Sequence, residues 1–274
     1  MSSDPSPYLK TAIAAVRRAG ELQRQAFGGE FGIRKKGAID LVTEVDVAIE
    51  REFRAHIAEA WPGHEVLGEE FGASAGGATA GPPCWIFDPI DGTTNFAHGL
   101  PIFCASLALE IEGRVEVGAV YDPMRDELFT AERGHGAWLN NRRLGVSATD
   151  AIGDALLVTG FPYTVQSDGE AILGLFGRFV AKARAVRRLG SAALDVCYVA
   201  AGRMDGFWEQ GLGAWDIAAA SLLVEEAGGT VSDLEGQPFR VRTGRLLATN
   251  GRIHREMLGT MAAYRAERAR NRTD

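Results

Sequence analysis

The chain has 274 residues, 46% of them hydrophobic and 24% charged, with a net charge of −7. That length supports one large domain or two closely packed halves, and that apolar content excludes global disorder. The negative balance argues against general binding to nucleic acid or to an anionic membrane, and no apolar run approaches the roughly 18 residues of a membrane span.

The N-terminal stretch "MSSDPSPYLK" lacks the basic start and apolar run of a secretion signal, so a cytoplasmic location is expected. Apolar residues Leu9, Ile13, Val16 and Leu22 recur near helical spacing and predict a helix from Tyr8 to Phe27. "IRKKGAIDLVT" is extended or turn-like. Thr43 then serves as the N-cap of a second helix, whose apolar stripe is Val45, Ile49, Phe53 and Ile57. "HEVLGEEF" reads as a short strand ending in paired glutamates. The small-residue tract from Gly72 to Pro83 reads as a mobile surface loop. "WIF" is a strand that stops at Asp88. From Cys104 to Ser147, short β-rich runs separated by turn signals at Glu112-Gly113, Asp122-Pro123 and Asn140-Asn141 predict an antiparallel meander.

Beyond Ser147 the rhythm changes. "ALLVTGF" is strand-like, "EAILGLFGRFVAKARA" and "SAALDVCYVAAG" helical, "MDGFWEQ" strand-like, "WDIAAASLLVEEAGG" helical and "LLATNG" a last strand before a helix from His254. The first half reads as α+β and the second as alternating α/β, which predicts sheets layered between helices. The two halves, 1–147 and 148–274, are expected to form one catalytic unit. Three dispersed cysteines, Cys84, Cys104 and Cys197, show no zinc spacing and read as reduced, buried thiols. The histidines show no ligand spacing either, and "KARAVRR" reads as a solvated helix face and strand entry.

Three places put acids at the ends of elements: Glu69-Glu70, Asp88 with Asp91, and Asp216. Asp46, near the start of the second helix, is a possible fourth. Singly these are bland: an N-cap, a solvated turn, a hairpin signal. The nonapeptide "DPIDGTTNF" is far more specific. Carboxylate oxygens suit Mg²⁺, Mn²⁺ or Ca²⁺, and suit zinc poorly without histidine or cysteine. A cluster of Glu69, Asp88, Asp91 and Asp216 holds more charge than one Mg²⁺ cancels. Two or more ions are therefore expected, with positive edges free to receive a phosphate. Backbone N–H groups of Gly92 and Thr93, at the start of a short helix, would bind the anion beside them.

Five stretches, "DLVTEVD" (Asp40–Asp46), "GEE" (Gly68–Glu70), "DPIDGTTNF" (Asp88–Phe96), "GSAALD" (Gly190–Asp195) and "WDIAAA" (Trp215–Ala220), stand in an order that resembles the inositol monophosphatase family of Mg²⁺-dependent, lithium-sensitive phosphatases. The resemblance spans nearly the whole chain, and "DPIDGT" with "WDIAA" is its most specific part. It implies a layered αβαβα sugar-phosphatase fold and a homodimer. It implies that Glu69, Asp88 and the carbonyl of Ile90 hold one metal, that Asp88, Asp91 and Asp216 hold a second, and that Glu69 helps a weaker third. Asp46 and Thr93 match the pair that orients and deprotonates the attacking water, and Lys35 matches a lysine near the metals. Glu209, with the backbone at Ser191 and Ala192, matches the contacts to inositol hydroxyls, and Asp91 and Asp216 also face the substrate. The family more often has threonine at Ser191, a change expected to matter little because the contact there is largely backbone.

The implied reaction is hydrolysis of a myo-inositol monophosphate by water in one in-line displacement. Fructose 1,6-bisphosphate, histidinol phosphate and 3′-phosphorylated nucleotides, the substrates of related families, stay open alternatives. So does a regulator or scaffold that keeps the fold. A haloacid-dehalogenase chemistry fits poorly, because its nucleophile sits in a DxD pattern and here the acids are spaced DxxD.

Overall fold

The first helix, α1 (Pro7–Ala26), begins where Ser6 Oγ accepts the N–H of Leu9 at 3.2 Å, and it buries Leu9, Ala12, Val16 and Ala19 on one stripe. The structure is a computed structural model that describes residues 5–29, 32–35, 41–73, 81–162 and 164–271. A two-stranded hairpin, β1 (Ile33–Lys35) with β2 (Leu41–Thr43), leads into α2 (Glu44–Ala60). The Lys35 side chain lies outside the described residues. Thr43 and Asp46 form a reciprocal cap on α2: Thr43 Oγ accepts from Asp46 N at 3.3 Å, and the Asp46 carboxylate accepts from Thr43 N at 2.8 Å.

Next come β3 (Glu65–Gly68), β4 (Gly72–Ala73), β5 (Cys84–Asp91), the short α3 (Thr93–Ala97) and the expected meander. Its strands are β6 (Cys104–Ile111), β7 (Arg114–Asp122), β8 (Glu127–Glu132), β9 (Ala137–Leu139) and β10 (Arg142–Arg143). They form one eight-stranded sheet in the order β10-β9-β8-β7-β6-β5-β3-β4, in which only β3 and β5 run parallel. Every residue of β5 is buried, because both faces of the sheet are covered. Trp85 and Phe87 pack with α1 and α2 on one face, and Ile86 packs into the core on the other.

The second half supplies β11 (Leu156–Thr159), α4 (Val165–Val180), β12 (Ala185–Arg187), α5 (Ala192–Ala200), β13 (Gly206–Gln210), α6 (Ala214–Glu226), β14 (Thr230–Ser232), β15 (Arg245–Thr249) and α7 (His254–Asn271). Its five strands make a mixed sheet ordered β12-β11-β13-β15-β14. Buried residues of α5 and α6 fill the space between the two sheets. On the outer face, Phe179 of α4 and Met257 and Met261 of α7 pack against Leu157, Trp208 and Leu247. The layers therefore read αβαβα, as the resemblance implied.

Four details differ from the sequence reading. The helix expected to run through Ala185 ends at Val180, and Ala185–Arg187 joins the sheet parallel to β11. Strand β14 was not anticipated, being only three residues long. Strand β5 does not stop at Asp88 but continues to Asp91 through a register irregularity against β6. Within the tract expected to be a loop, Gly72 and Ala73 pair with β3, and residues 74–80 lie outside the described residues. The three cysteines are buried and unbridged. Among the described residues, no helix is long and apolar enough to cross a membrane.

Helix α6 lies so close to the sheet that a Cβ on Gly118 of β7 would stand 2.7 Å from the carbonyl oxygen of Ala219. Backbone meets backbone there, and no flexible side chain can yield. Gly118→Ala is expected to cost about 1–3 kcal/mol of stability. Thermal unfolding checks it, and an unchanged Tm would mean that helix and sheet separate freely.

Candidate active site

The irregularity in β5 puts two acids on one cavity wall. Asp88, 1% exposed, accepts the N–H of Ile90 at 2.9 Å. Asp91 points at the start of α5, where its carboxylate accepts from Ser191 Oγ at 2.5 Å, Ala193 N at 2.8 Å and Ala192 N at 3.2 Å. These donors are free because a helix start leaves its first N–H groups unpaired. The Ser191 hydroxyl thus bonds Asp91 directly. Asp216, in the first turn of α6, accepts from Gly213 N at 2.7 Å. It is a helix cap and a cavity acid together: Asp88, Asp91 and Asp216 each offer a carboxylate oxygen within 4.8 Å of the others.

Glu69 lines the same cavity from the turn after β3. That turn is held by a residue absent from the sequence reading, Glu50 of α2, which is fully buried. Its carboxylate accepts from Glu70 N at 2.7 Å and Phe71 N at 3.3 Å, and Arg54 Nε donates to it at 2.8 Å. The available signal was its spacing, four residues after Asp46 on a helix face otherwise apolar.

After Asp91 the chain turns on Gly92, at φ 99°, into α3. A Cβ there would approach the carbonyls of Ile102 at 3.0 Å and Gly190 at 3.2 Å, so space and backbone angle both demand glycine. Thr93 Oγ1 donates to the Ile90 carbonyl at 2.9 Å and stands 3.5 Å from Asp46 Oδ1. The cavity, about 390 Å³, takes Glu69, Asp88 and Asp91 from the first half and Arg188, Glu209 and Asp216 from the second. Glu209, on β13, receives a backbone hydrogen bond from Gly160.

Burial sets the electrostatics. It pushes Asp88 well above the usual carboxylate range, and the neighbouring charges of Glu69, Asp91 and Asp216 push further. Asp216 is raised by burial, then by Asp91 and Glu69. Asp91 is also raised by burial, against the pull of its Ser191, Ala193 and Ala192 donors. Asp46 is pushed up to about 6 by burial, opposed by Thr43, and Glu209 up to about 8 by burial and Asp91. Among the described residues lining the cavity, Arg188 is the one cation. Buried carboxylates need a positive partner, and an all-oxygen donor set suits hard divalent ions such as Mg²⁺, Mn²⁺ or Ca²⁺. The residues present fit such a group.

The model of the inositol monophosphatase family matches residues 4–269. The chain is 44% identical to Nus factor SuhB of Pseudomonas aeruginosa over 94% of this chain and 97% of that relative. It is 43% identical to inositol-1-monophosphatase of Mesorhizobium japonicum over 92% of this chain and 95% of that relative. Among solved structures, the extragenic suppressor protein suhB of Bartonella henselae superposes with a TM-score of 0.88 at 38% identity, covering 93% of this chain and 98% of that one.

Each raised carboxyl binds its proton more tightly folded than unfolded. Without divalent ions, stability is therefore expected to fall as pH rises from the ordinary carboxylate range through about 6, where Asp46 titrates, towards about 8 for Glu209. Added Mg²⁺ should raise Tm, and by more at the alkaline end of that window. Melting curves in EDTA and in MgCl₂ check both, and a Tm in EDTA that climbs across the window contradicts the electrostatic account. Glu50→Ala, by releasing the turn that carries Glu69, should weaken divalent-ion affinity by about 10- to 100-fold, read by calorimetric titration.

Proposed function

The chain belongs to the inositol monophosphatase family, and from that premise we propose that it is a Mg²⁺-dependent phosphomonoesterase that hydrolyses myo-inositol monophosphate to inositol and phosphate. The observation that carries this reading is the convergence of Asp88, Asp91 and Asp216 within 4.8 Å, in the cavity that also holds the Gly92–Thr93 turn. A volume of about 390 Å³ suits a polyol monophosphate.

Glu69, Asp88 and the Ile90 carbonyl would hold one ion, Asp88, Asp91 and Asp216 a second, and Glu69 would reach a third. Bound there, divalent ions neutralise the phosphate and make water acidic enough to attack near neutral pH. The chain's own groups do the rest. The Thr93 hydroxyl turns from the Ile90 carbonyl to the attacking water and passes its proton towards Asp46, 3.5 Å away. Backbone N–H groups of Gly92 and Thr93 gather the non-bridging phosphate oxygens as their charge grows. Glu209 accepts from ring hydroxyls. Ser191, and the N–H groups of Ala192 and Ala193, keep Asp91 aimed at the cavity, so the two halves, 1–147 and 148–274, act as one catalytic unit. Family membership brings a homodimer, a cytoplasmic location and inhibition by lithium into the same proposal.

The name of the Pseudomonas aeruginosa relative, a Nus factor, supports a second reading, a regulator that retains the fold. That role has no need of Glu69, Asp88, Asp91 and Asp216 together, and their presence favours catalysis. Phosphate release from a panel of sugar, inositol and nucleotide phosphates in Mg²⁺ distinguishes the two. Activity is expected to be highest on myo-inositol monophosphate. Asp91→Asn should lower kcat by at least about 100-fold, with the circular dichroism spectrum intact. Turnover near the wild-type value in that variant at saturating Mg²⁺ would remove the assignment.

A further inference from the structure

Asp195 has no part in the account above, yet it lines the same cavity. It sits in the first turn of α5, is 1% exposed, and its Oδ1 has no hydrogen-bond partner. Among the described residues, one other buried side-chain oxygen shares that condition, Gln23 Oε1. An unpaired buried carboxyl costs stability. Its neighbours on α5, Leu194, Val196 and Cys197, are fully buried and apolar, and an apolar residue here would avoid that cost. A carboxyl kept at this place is explained by something that enters the cavity and pairs with it.

Glu209 gives the second half of the pattern. It lines the cavity with Asp195, and its charge is, after burial, the largest influence raising Asp195 above the usual carboxylate range. A Cβ on Gly160 would fall within 2.5 Å of the Glu209 carboxylate, so the glycine leaves the space in which that group lies on the backbone. Two carboxyls that line one cavity can offer an entering ligand both a donor and an acceptor. Neighbouring hydroxyls on a ring present the complementary acceptor and donor.

We propose that Asp195 is a specificity-determining residue, whose carboxyl acts with Glu209 to bind neighbouring hydroxyls of the polyol part of a phosphate ester. The inference rests on the phosphomonoesterase reading and adds to it a reason for rejecting esters without hydroxyls. A ring lacking them would leave Asp195 buried and unpaired, which is the arrangement that discriminates most strongly between such substrates.

Steady-state kinetics in Mg²⁺ on myo-inositol 1-phosphate and on cyclohexyl phosphate, a ring of the same size without hydroxyls, test it. Asp195→Leu should lower the ratio of the two kcat/KM values by about 10- to 100-fold, mainly through KM for the inositol ester. Asp195→Asn, which keeps hydrogen-bonding atoms in the same shape, should retain part of the preference. Both variants should melt at or above the wild-type temperature, because an unpaired acid has gone, and this separates lost specificity from lost fold. A ratio unchanged in every variant that folds overturns the inference, as does an equal loss on both esters. A wild-type protein that hydrolyses neither ester would remove the inositol monophosphate reading itself, and this inference with it. A wild type active on both, with variants of unchanged ratio, removes the inference alone.

Discussion

Mutual repulsion among buried carboxyls is the constraint around which this molecule is arranged. Asp88, Asp91 and Asp216 stand within 4.8 Å of one another. Left alone, such groups protonate, swing apart or flood with water. Each is restrained by a backbone N–H that the local fold leaves unpaired: Ile90 for Asp88, the start of α5 for Asp91, and Gly213 for Asp216. These donors hold the acids in place without cancelling their charge, and so preserve the appetite of the site for cations.

The layered architecture serves the same end. Each sheet is covered on both faces, so β5 can carry acids out of the deepest part of the core to its edge without wavering. The alanine-rich face of α6 lets that helix settle against β7, which fixes the height of Asp216 above the sheet. A cluster that needs tenths of an ångström is thus supported by close-packed backbone rather than by long side chains.

Much of this was legible beforehand, because "DPIDGTTNF" and "WDIAAA" compress local geometry and chemistry into a few residues. The turn at Gly92, the cap at Thr43 and the meander could be read because each depends on near neighbours. What escaped depends on distant partners. The role of Glu50 and Arg54 shows only once the turn after β3 is laid over them. The hydroxyl bond of Ser191 could not be read from sequence because its partner is 100 residues away. The solitude of Asp195 is a statement about what surrounds it, which a sequence does not contain. The short strand β14 fell below the length at which alternation can be counted.

The bonds between Asp91 and the start of α5 have a consequence for the chain's birth. Asp91 and Ala193 are separated by 102 residues. At a ribosomal pace of about 5–20 residues per second, the acids of β5 emerge roughly 5–20 seconds before the donors that restrain them. For that interval the nascent first half displays acidic side chains beside a strand with its second covering layer missing. Newly made protein is then a half-built sandwich whose acids still lack the donors that restrain them. The adult site closes only when its last helices leave the tunnel.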